Sequence, residues 1–203
     1  MYEVSIVIGT FGSTEWGHRG HELFLQTTHS FPKADVLHIH DKGSLARARN
    51  TGVEEARGEY IICLDADDYL CDGYVNALLD SIEDGNILYK PITMGYMDEV
   101  TENPQFVPRT NDLLQRNELV IGTAFKKEYF LGFDPQLDAL EDWDLWIRMV
   151  KNGAKVKDCP DMCYAINTDT SNSRNNSSKK VHNIAYRKIR DKYGHSILPL
   201  VRV

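Results

Sequence analysis

Apolar runs alternate with amphipathic segments along the first half of the chain. The runs end at glycine or aspartate, as buried strands of a parallel sheet often do, and they span residues 4–8, 35–40 and 60–64. Helical periodicity follows each run, over residues 21–28, 45–57 and 73–82. Glycines are predicted to break the chain before the first helix (Gly12, Gly17, Gly20) and to cap the end of the second (Gly58). This alternation predicts a doubly wound α/β sheet that binds ligands at the carboxyl ends of its strands.

The pattern is less regular in the second half. Strands are predicted over residues 87–96 and 119–125, with Pro91 at an edge or a bulge of the first. Helices are predicted over residues 141–152 and 181–193, and the second of these has a basic outer face. Two polar stretches, residues 98–112 and 167–178, are predicted to be loops.

Length and composition fit one globular domain. The chain has 203 residues, of which 42% are hydrophobic, and no apolar run approaches the roughly 20 residues of a transmembrane helix. The first residues lead straight into an apolar strand, so we expect no signal peptide and a cytoplasmic location.

The four cysteines lack the spacing of a zinc site and are expected to be reduced, partly buried thiols: Cys63, Cys71, Cys159 and Cys163.

Charge is distributed unevenly along the chain. Residues 1–170 carry 15 Lys and Arg against 29 Asp and Glu, a net charge of −14. Residues 171–203 carry 8 against 1, a net charge of +7. An acidic body argues against a surface that binds nucleic acid throughout. The basic tail has two interpretations: it contacts phosphates of an acceptor, a membrane or a nucleic acid, or it packs on the acidic body.

A group of aspartates follows the third predicted strand directly. Asp65, Asp67 and Asp68 bring like charges close together, and a divalent cation such as Mn²⁺ or Mg²⁺ removes the resulting repulsion. The other interpretation is a turn whose aspartates cap the next helix.

A second acidic group begins the helix predicted at residue 141. Glu141 and Asp142 are candidates for a general base, and Trp143 offers an apolar surface on which a sugar can stack. Acidic residues also favour helix N-termini because of the helix dipole.

Two arginines follow the second predicted strand. Arg47 and Arg49 either neutralise phosphates or lie on a solvated helix face.

In combination, these segments resemble glycosyltransferase family 2. The similarity covers about residues 2–165, in the family's order and rough spacing. It rests on residues 4–11 (VSIVIGTF), 40–44 (HDKGS), 48–52 (ARNTG), 56–61 (ARGEYI), 64–68 (LDADD), 132–134 (GFD) and 141–146 (EDWDLW). The resemblance implies a GT-A fold, a single Rossmann-like α/β domain over residues 1–203 with a mostly parallel central sheet flanked by helices. Residues 1–85 would bind the nucleotide-sugar, residues 86–166 the acceptor, and residues 167–203 would form the polar loop and basic helix.

The resemblance also implies an inverting transfer and a role for each matching residue. Asp142 would be the general base, and Glu141 would support the acceptor or the base. Asp67 would bind Mn²⁺ or Mg²⁺, and Asp65 would contact the metal or the ribose. Asp41 would accept a hydrogen bond from the nucleobase. A carboxylate can accept the N3–H of uracil or thymine, or a proton donor of guanine, but it does not suit cytosine; we favour a UDP-sugar, with dTDP and GDP left open. The other residues expected to contact substrate are Gly9, Thr10, Phe11, Arg47, Arg49, Ala66, Trp143 and Arg174.

Other functions stay open at this point. A sugar nucleotidyltransferase would use a similar fold, although the sequence lacks a glycine- and basic-rich N-terminal loop suited to a triphosphate. A non-catalytic nucleotide-sugar or carbohydrate-binding module would keep the fold without the chemistry. The acceptor class also stays open among saccharide, lipid-linked, protein and nucleic-acid hydroxyls.

Overall fold

The apolar runs at the start of the chain form three parallel strands at one side of a sheet. The computed structural model describes residues 2–97, 100–104, 112–167, 179–194 and 197–203. Strand β1 (Val4–Phe11) lies between β2 (Asp35–Asp41) and β3 (Tyr60–Asp65). Phe11 is paired with Asp41, and Gly9 is paired with Asp65. Because parallel strands end at the same edge, these residues meet at one edge of the sheet.

The remaining strands make the sheet mixed. They are β4 (Tyr69–Leu70), β5 (Ile87–Met97), β6 (Val100–Pro104), β7 (Ala124–Lys126) and β8 (Lys155–Asn167). The order is β2-β1-β3-β7-β5-β8-β4, with β6 beside β5. Strand β7 runs antiparallel to both β3 and β5, whereas β5 and β8 are parallel. The α/β class is therefore confirmed, but parallel pairing is less extensive than the sequence analysis expected, since β4, β6 and β7 are all antiparallel to their neighbours.

Helices cover the sheet and connect its strands. They are α1 (Thr14–Ser30), α2 (Leu45–Glu55), α3 (Tyr74–Ser81), α4 (Glu141–Lys151) and α5 (Lys179–Tyr193), with a short 3-10 turn at Lys127–Tyr129. Across the described ranges, none of these helices has the length and hydrophobicity required to cross a membrane.

Two predictions about helix boundaries were wrong. Helix α1 begins at Thr14, so Gly17 and Gly20 lie inside it instead of breaking the chain. A Cβ at Gly20 would come within 2.3 Å of His38 Nε2, so glycine here lets the helix pack closely against β2. Helix α2 ends at Glu55 with Ala56 as its C-cap, and Gly58 lies beyond the cap.

The strand predictions were wrong mainly in the second half. Residues 98–112 were expected to be a loop, but Val100–Pro104 is a strand. Of residues 119–125, only the last two belong to a strand. Strands β4 and β8 were not predicted. Pro91 was expected at an edge or a bulge, and the β5–β8 register does shift between Pro91 and Ile92. Of the predicted loop over residues 167–178, Asn167 ends β8 and the rest lies outside the described residues.

The basic C-terminal helix is anchored on the body by one buried carboxylate. Asp144 is fully buried and accepts hydrogen bonds from Arg148 Nε (2.7 Å), Lys192 Nζ (2.8 Å) and the Tyr193 hydroxyl (2.7 Å). Burial alone would raise the pKa of Asp144, but these donors outweigh burial and lower the pKa. Two further cations of the helix also contact the body, since Lys188 Nζ donates to Gln136 O and Arg190 Nη1 to Leu114 O. These contacts favour the interpretation in which the tail packs on the acidic body.

Replacing Asp144 should therefore detach α5. We expect Asp144→Asn to lower the free energy of unfolding by about 2–4 kcal/mol, because three donors lose a buried charge that all of them share. Urea unfolding at pH 7 measures this change. The difference from wild type should shrink below about pH 4, because the lowered pKa means that protonation of Asp144 removes its contribution only in acid.

Tyr193→Phe is the matched control for this experiment. It removes one neutral hydrogen-bond donor to the same carboxylate and should lower the free energy of unfolding by only about 1 kcal/mol. An Asp144→Asn protein that is no less stable than Tyr193→Phe would contradict the anchoring role.

Candidate active site

A cavity of about 370 Å³ opens where β1 and β3 end. Residues that the sequence analysis assigned to substrate or metal line it: Gly9, Thr10, Phe11, Asp65, Ala66 and Asp67. Further lining comes from Gly12, Ser13, Trp16, Leu45, Asp68, Ile166 and Asn167. The cavity thus lies at the carboxyl edge of the parallel strands, where ligands bind in α/β sheets of this kind.

Three carboxylates converge on one side of the cavity. One oxygen from each of Asp65, Asp67 and Asp68 lies within 4.8 Å of the other two. Asp68 is held from β8, because the Tyr164 hydroxyl donates to its Oδ2 (2.9 Å) and Asn167 N donates to its Oδ1 (2.9 Å). Burial and the charges of Asp65 and Asp67 raise the pKa of Asp68 well above its usual value. Closely spaced carboxylate oxygens such as these suit a divalent cation such as Mg²⁺ or Mn²⁺.

A buried arginine connects this cluster to the start of α4. Arg49 lies on α2 and has a side chain only 3% exposed; it donates to Asp65 Oδ1 and, at 2.7 Å, to Glu141 Oε1. Burial alone would lower the pKa of Arg49, but the charges of Asp65 and Glu141 raise it. Gly9 makes room for this side chain, because a Cβ there would come within 2.8 Å of Arg49 Cγ. The two acidic segments therefore meet across a single guanidinium.

Asp142 lies beside this ion pair at the N-terminus of α4. The residue before the helix, Leu140, has φ 60° and ψ 21°, a left-handed conformation that costs about 1–3 kcal/mol for a non-glycine residue. Asp142 is partly exposed, and its Oδ2 accepts a hydrogen bond from Asn117 Nδ2 (3.0 Å). Burial and the neighbouring charge of Glu141 raise the pKa of Asp142 to about 6. A carboxylate with this pKa can accept a proton near neutral pH.

Several predicted substrate residues lie away from the cavity lining. Asp41 ends β2, where its Oδ1 accepts hydrogen bonds from Gly43 N (2.7 Å) and Ser44 N (2.8 Å). Arg47 is largely exposed and lies 3.6 Å from the same carboxylate. Arg174 lies outside the described residues.

Trp143 does not present the sugar-stacking surface that the sequence analysis expected. The side chain is buried, with an exposed fraction of 2%. Its Nε1 donates to Leu113 O (2.7 Å), and Tyr186 of α5 stacks on the ring with centroids 5.6 Å apart. The ring face is thus covered by the C-terminal helix, and Trp143 fastens that helix to the body.

Sequence reasoning missed three residues that shape the site. Trp16 lines the cavity from the first turn of α1, in a stretch that was expected to be broken by glycines. Tyr164 holds Asp68 from a strand that was not predicted. Asn117 contacts Asp142 from a segment without periodicity, so no pattern in the sequence pointed to it.

Curated relatives of this chain include glycosyltransferases. An uncharacterized glycosyltransferase of Haemophilus influenzae is 26% identical over 176 residues, which is 75% of this chain and 59% of that protein. The chain therefore spans about three-fifths of that relative's length.

Solved glycosyltransferase structures share the fold. GalNAc-T7 with UDP, GalNAc and Mn²⁺ superposes with a TM-score of 0.65 at 14% identity, over 94% of this chain and 48% of that one. S. aureus TarS 1-349 in complex with UDP-GlcNAc gives a TM-score of 0.55 at 16% identity, over 82% of this chain and 58% of that one. These likenesses confirm the predicted GT-A fold.

A family model agrees with the fold. The model described as Glycosyl transferase family 2 matches residues 22–138, more than half of the 203 residues. The match includes β2, β3, the three converging aspartates and Arg49. The chain belongs to glycosyl transferase family 2.

Proposed function

We propose that this protein transfers a sugar from a nucleotide-sugar donor, preferably a UDP-sugar, to an acceptor hydroxyl with inversion. The observation that carries the proposal is the buried bridge from Asp65 through Arg49 to Glu141, beside Asp142. It joins the strand end that carries carboxylates suited to a cation to the helix start that carries a carboxylate suited to accept a proton. A direct displacement needs both at one site.

The donor is proposed to occupy the cavity at the end of β1 and β3. Phe11 and Trp16 offer aromatic surfaces to the nucleobase, and Gly12, where a Cβ would meet nothing within 4 Å, leaves the backbone open to the ligand. Similar folds have been solved with UDP and Mn²⁺ in GalNAc-T7 and with UDP-GlcNAc in TarS, which supports a UDP-sugar as donor. Asp41 lies at the end of the neighbouring strand β2 and is the proposed acceptor for the N3–H of uracil.

Asp65 and Asp67 are proposed to hold Mn²⁺ or Mg²⁺, with Asp68 oriented behind them by Tyr164. When bound, the cation supplies charge stabilisation for the departing nucleoside diphosphate. Arg49 donates to Asp65 Oδ1 and so holds one oxygen of that carboxylate in place. Asn167, next to the carboxylates in the cavity lining, is proposed as a further polar contact at this site.

Asp142 is proposed to remove the proton of the acceptor hydroxyl. Asn117 holds one oxygen of this carboxylate, and the backbone N–H of Trp143 donates to the other at 2.7 Å. Each carboxylate oxygen can accept more than one hydrogen bond, so both retain capacity for the hydroxyl. Glu141 is proposed to act indirectly, because its pairing with Arg49 commits it to positioning the start of α4.

The metal assignment predicts a loss of cation-dependent binding when Asp67 is replaced. We expect Asp67→Asn to raise the Kd for UDP in the presence of Mn²⁺ at least about tenfold, because a charged ligand to the cation is lost. Isothermal titration of UDP with and without Mn²⁺ measures this effect, and wild type should bind UDP more tightly than CDP.

The control is Asp72→Asn, an exposed aspartate on the same stretch of chain. This variant should bind UDP like wild type. Equal Mn²⁺-dependent binding by wild type and Asp67→Asn would remove Asp67 from the metal site, and tight binding of CDP but not UDP would remove the uracil preference.

The base assignment predicts that Asp142→Asn separates binding from turnover. Donor hydrolysis or transfer should fall at least about 100-fold while the Kd for UDP with Mn²⁺ stays within about twofold of wild type. Because the pKa of Asp142 is raised in the folded state, its ionisation disfavours folding above that pKa. The variant should therefore be more stable than wild type at pH 7.5, by about 1–3 kcal/mol after allowance for partial exposure.

Asp138→Asn, an exposed change just before α4, serves as the control and should retain activity. Full activity in Asp142→Asn would exclude Asp142 as the base. A less stable Asp142→Asn protein would show that the carboxylate supports folding, against the pKa argument.

The raised pKa of Asp142 also predicts the acid limb of the pH profile. Activity needs the ionised carboxylate, so kcat/KM should rise about tenfold per pH unit below pH 6 and level off above it. The charges facing Asp142 are Glu141 and Asp65, which raise this pKa, and Arg49, which lowers it. A donor-hydrolysis profile measured from pH 5 to 8 tests the prediction, and a flat profile between pH 5 and 7 would contradict it.

A further inference from the structure

Two cysteines face each other across the antiparallel pair β4–β8. Tyr69 is paired with Ala165 and Leu70 with Tyr164, so Cys71 and Cys163 occupy the next opposed positions. Cys71 N donates to Cys163 O (3.0 Å), and the two Sγ atoms lie 2.8 Å apart. The distance between the two sulfur atoms is about 0.8 Å longer than the ~2.05 Å bond of a disulfide. Directly opposed residues of antiparallel strands also have a Cβ spacing near that of a disulfide, so a bond between these cysteines needs only a small movement.

These two thiols are partly exposed, whereas Cys63 and Cys159 are buried. A small reagent can therefore reach the opposed pair, and the buried pair provides an internal comparison within the same chain. Burial and the neighbouring Cys163 thiol raise the pKa of Cys71, so exchange should be slow at neutral pH and faster in mildly alkaline buffer.

We propose that Cys71 and Cys163 are a reversible redox pair that a small-molecule disulfide converts into an intramolecular disulfide. One cysteine thiolate attacks oxidised glutathione, which forms a mixed disulfide and releases one glutathione thiolate. The other cysteine loses its proton and attacks the mixed disulfide, which forms the Cys71–Cys163 bond and releases the second glutathione. The protein thiols are oxidised, one glutathione disulfide is reduced to two thiols, and the protons pass to the released thiolates.

The position of the pair connects it to the cavity. Cys71 lies three residues after Asp68, and Cys163 is next to Tyr164, whose hydroxyl donates to Asp68 Oδ2. The disulfide would join the segment over residues 65–71, which carries the three carboxylates, to β8 by a covalent bond. Opening of this segment away from β8 would then be restricted. This inference does not depend on the transfer activity.

The test uses the full, reduced chain equilibrated with oxidised glutathione at pH 8, quenched with acid, denatured and alkylated with N-ethylmaleimide. Cleavage before aspartate isolates each cysteine of the pair, in residues 68–71 and 161–168. We expect these two peptides to be joined and to lose their alkylation sites, while Cys63 and Cys159 stay fully alkylated. Dithiothreitol should restore all four sites.

Single variants provide the matched control. Cys71→Ser and Cys163→Ser should each accept one glutathione and form no link. Full alkylation of wild type, or glutathione adducts and linked dimers without the internal bond, would overturn the proposal.

Hydrogen exchange tests the connection to the cavity separately. Amides of residues 65–71 should exchange about tenfold more slowly in the oxidised than in the reduced wild type, and treatment of the Cys71→Ser/Cys163→Ser protein should produce no such change. Unchanged exchange in a protein with the disulfide formed would show that the bond does not restrain the carboxylate segment.

Discussion

Arg49 is paired both with Asp65, 16 residues later in the sequence, and with Glu141, 92 residues later, and these ion pairs hold the two acidic segments together. A buried guanidinium is costly unless carboxylates compensate it, and breaking such a buried pair costs about 3–5 kcal/mol. Here one carboxylate, Asp65, comes from the end of β3, and the other, Glu141, comes from the start of α4. The need to neutralise Arg49 therefore fixes the distance between the strand end and the helix start. Gly9 is part of this arrangement, because it leaves the space that the arginine side chain crosses.

The acidic residues at the start of α4 differ in burial and in their partners. Glu141 and Asp144 are buried and committed to cations, Arg49 in one case and Arg148 with Lys192 in the other. Asp142, between them in sequence, keeps partial exposure, and burial together with the charge of Glu141 raises its pKa although the charge of Arg49 lowers it. Neighbouring carboxylates at one helix start thus have different surroundings, and this difference is the reason that Asp142 is the one proposed as the base.

Much of the first half could be predicted because each strand was a short apolar run with a polar end. Val4–Phe11 and Tyr60–Asp65 are buried and end at the cavity. Their sequences therefore predict both the strands and the position of the site. Strand β8 was missed because polar residues and Pro160 interrupt the alternation of apolar and polar positions along it. Its extended conformation is stabilised instead by pairing with β5 along its length. The contact of Asn117 with Asp142 and the cover of Tyr186 over Trp143 depend on segments that meet only in the folded chain, and such contacts leave no local pattern.

The central claim is that both acidic segments serve one donor site. A crystal structure of the protein grown with UDP and Mn²⁺, with an anomalous difference map at the manganese edge, tests it most directly. We expect one manganese peak about 2.1 Å from a carboxylate oxygen of Asp67, with the diphosphate in the cavity at the end of β1 and Arg49 still joining Asp65 to Glu141. A manganese peak away from these aspartates, or UDP bound elsewhere on the chain, would contradict the account.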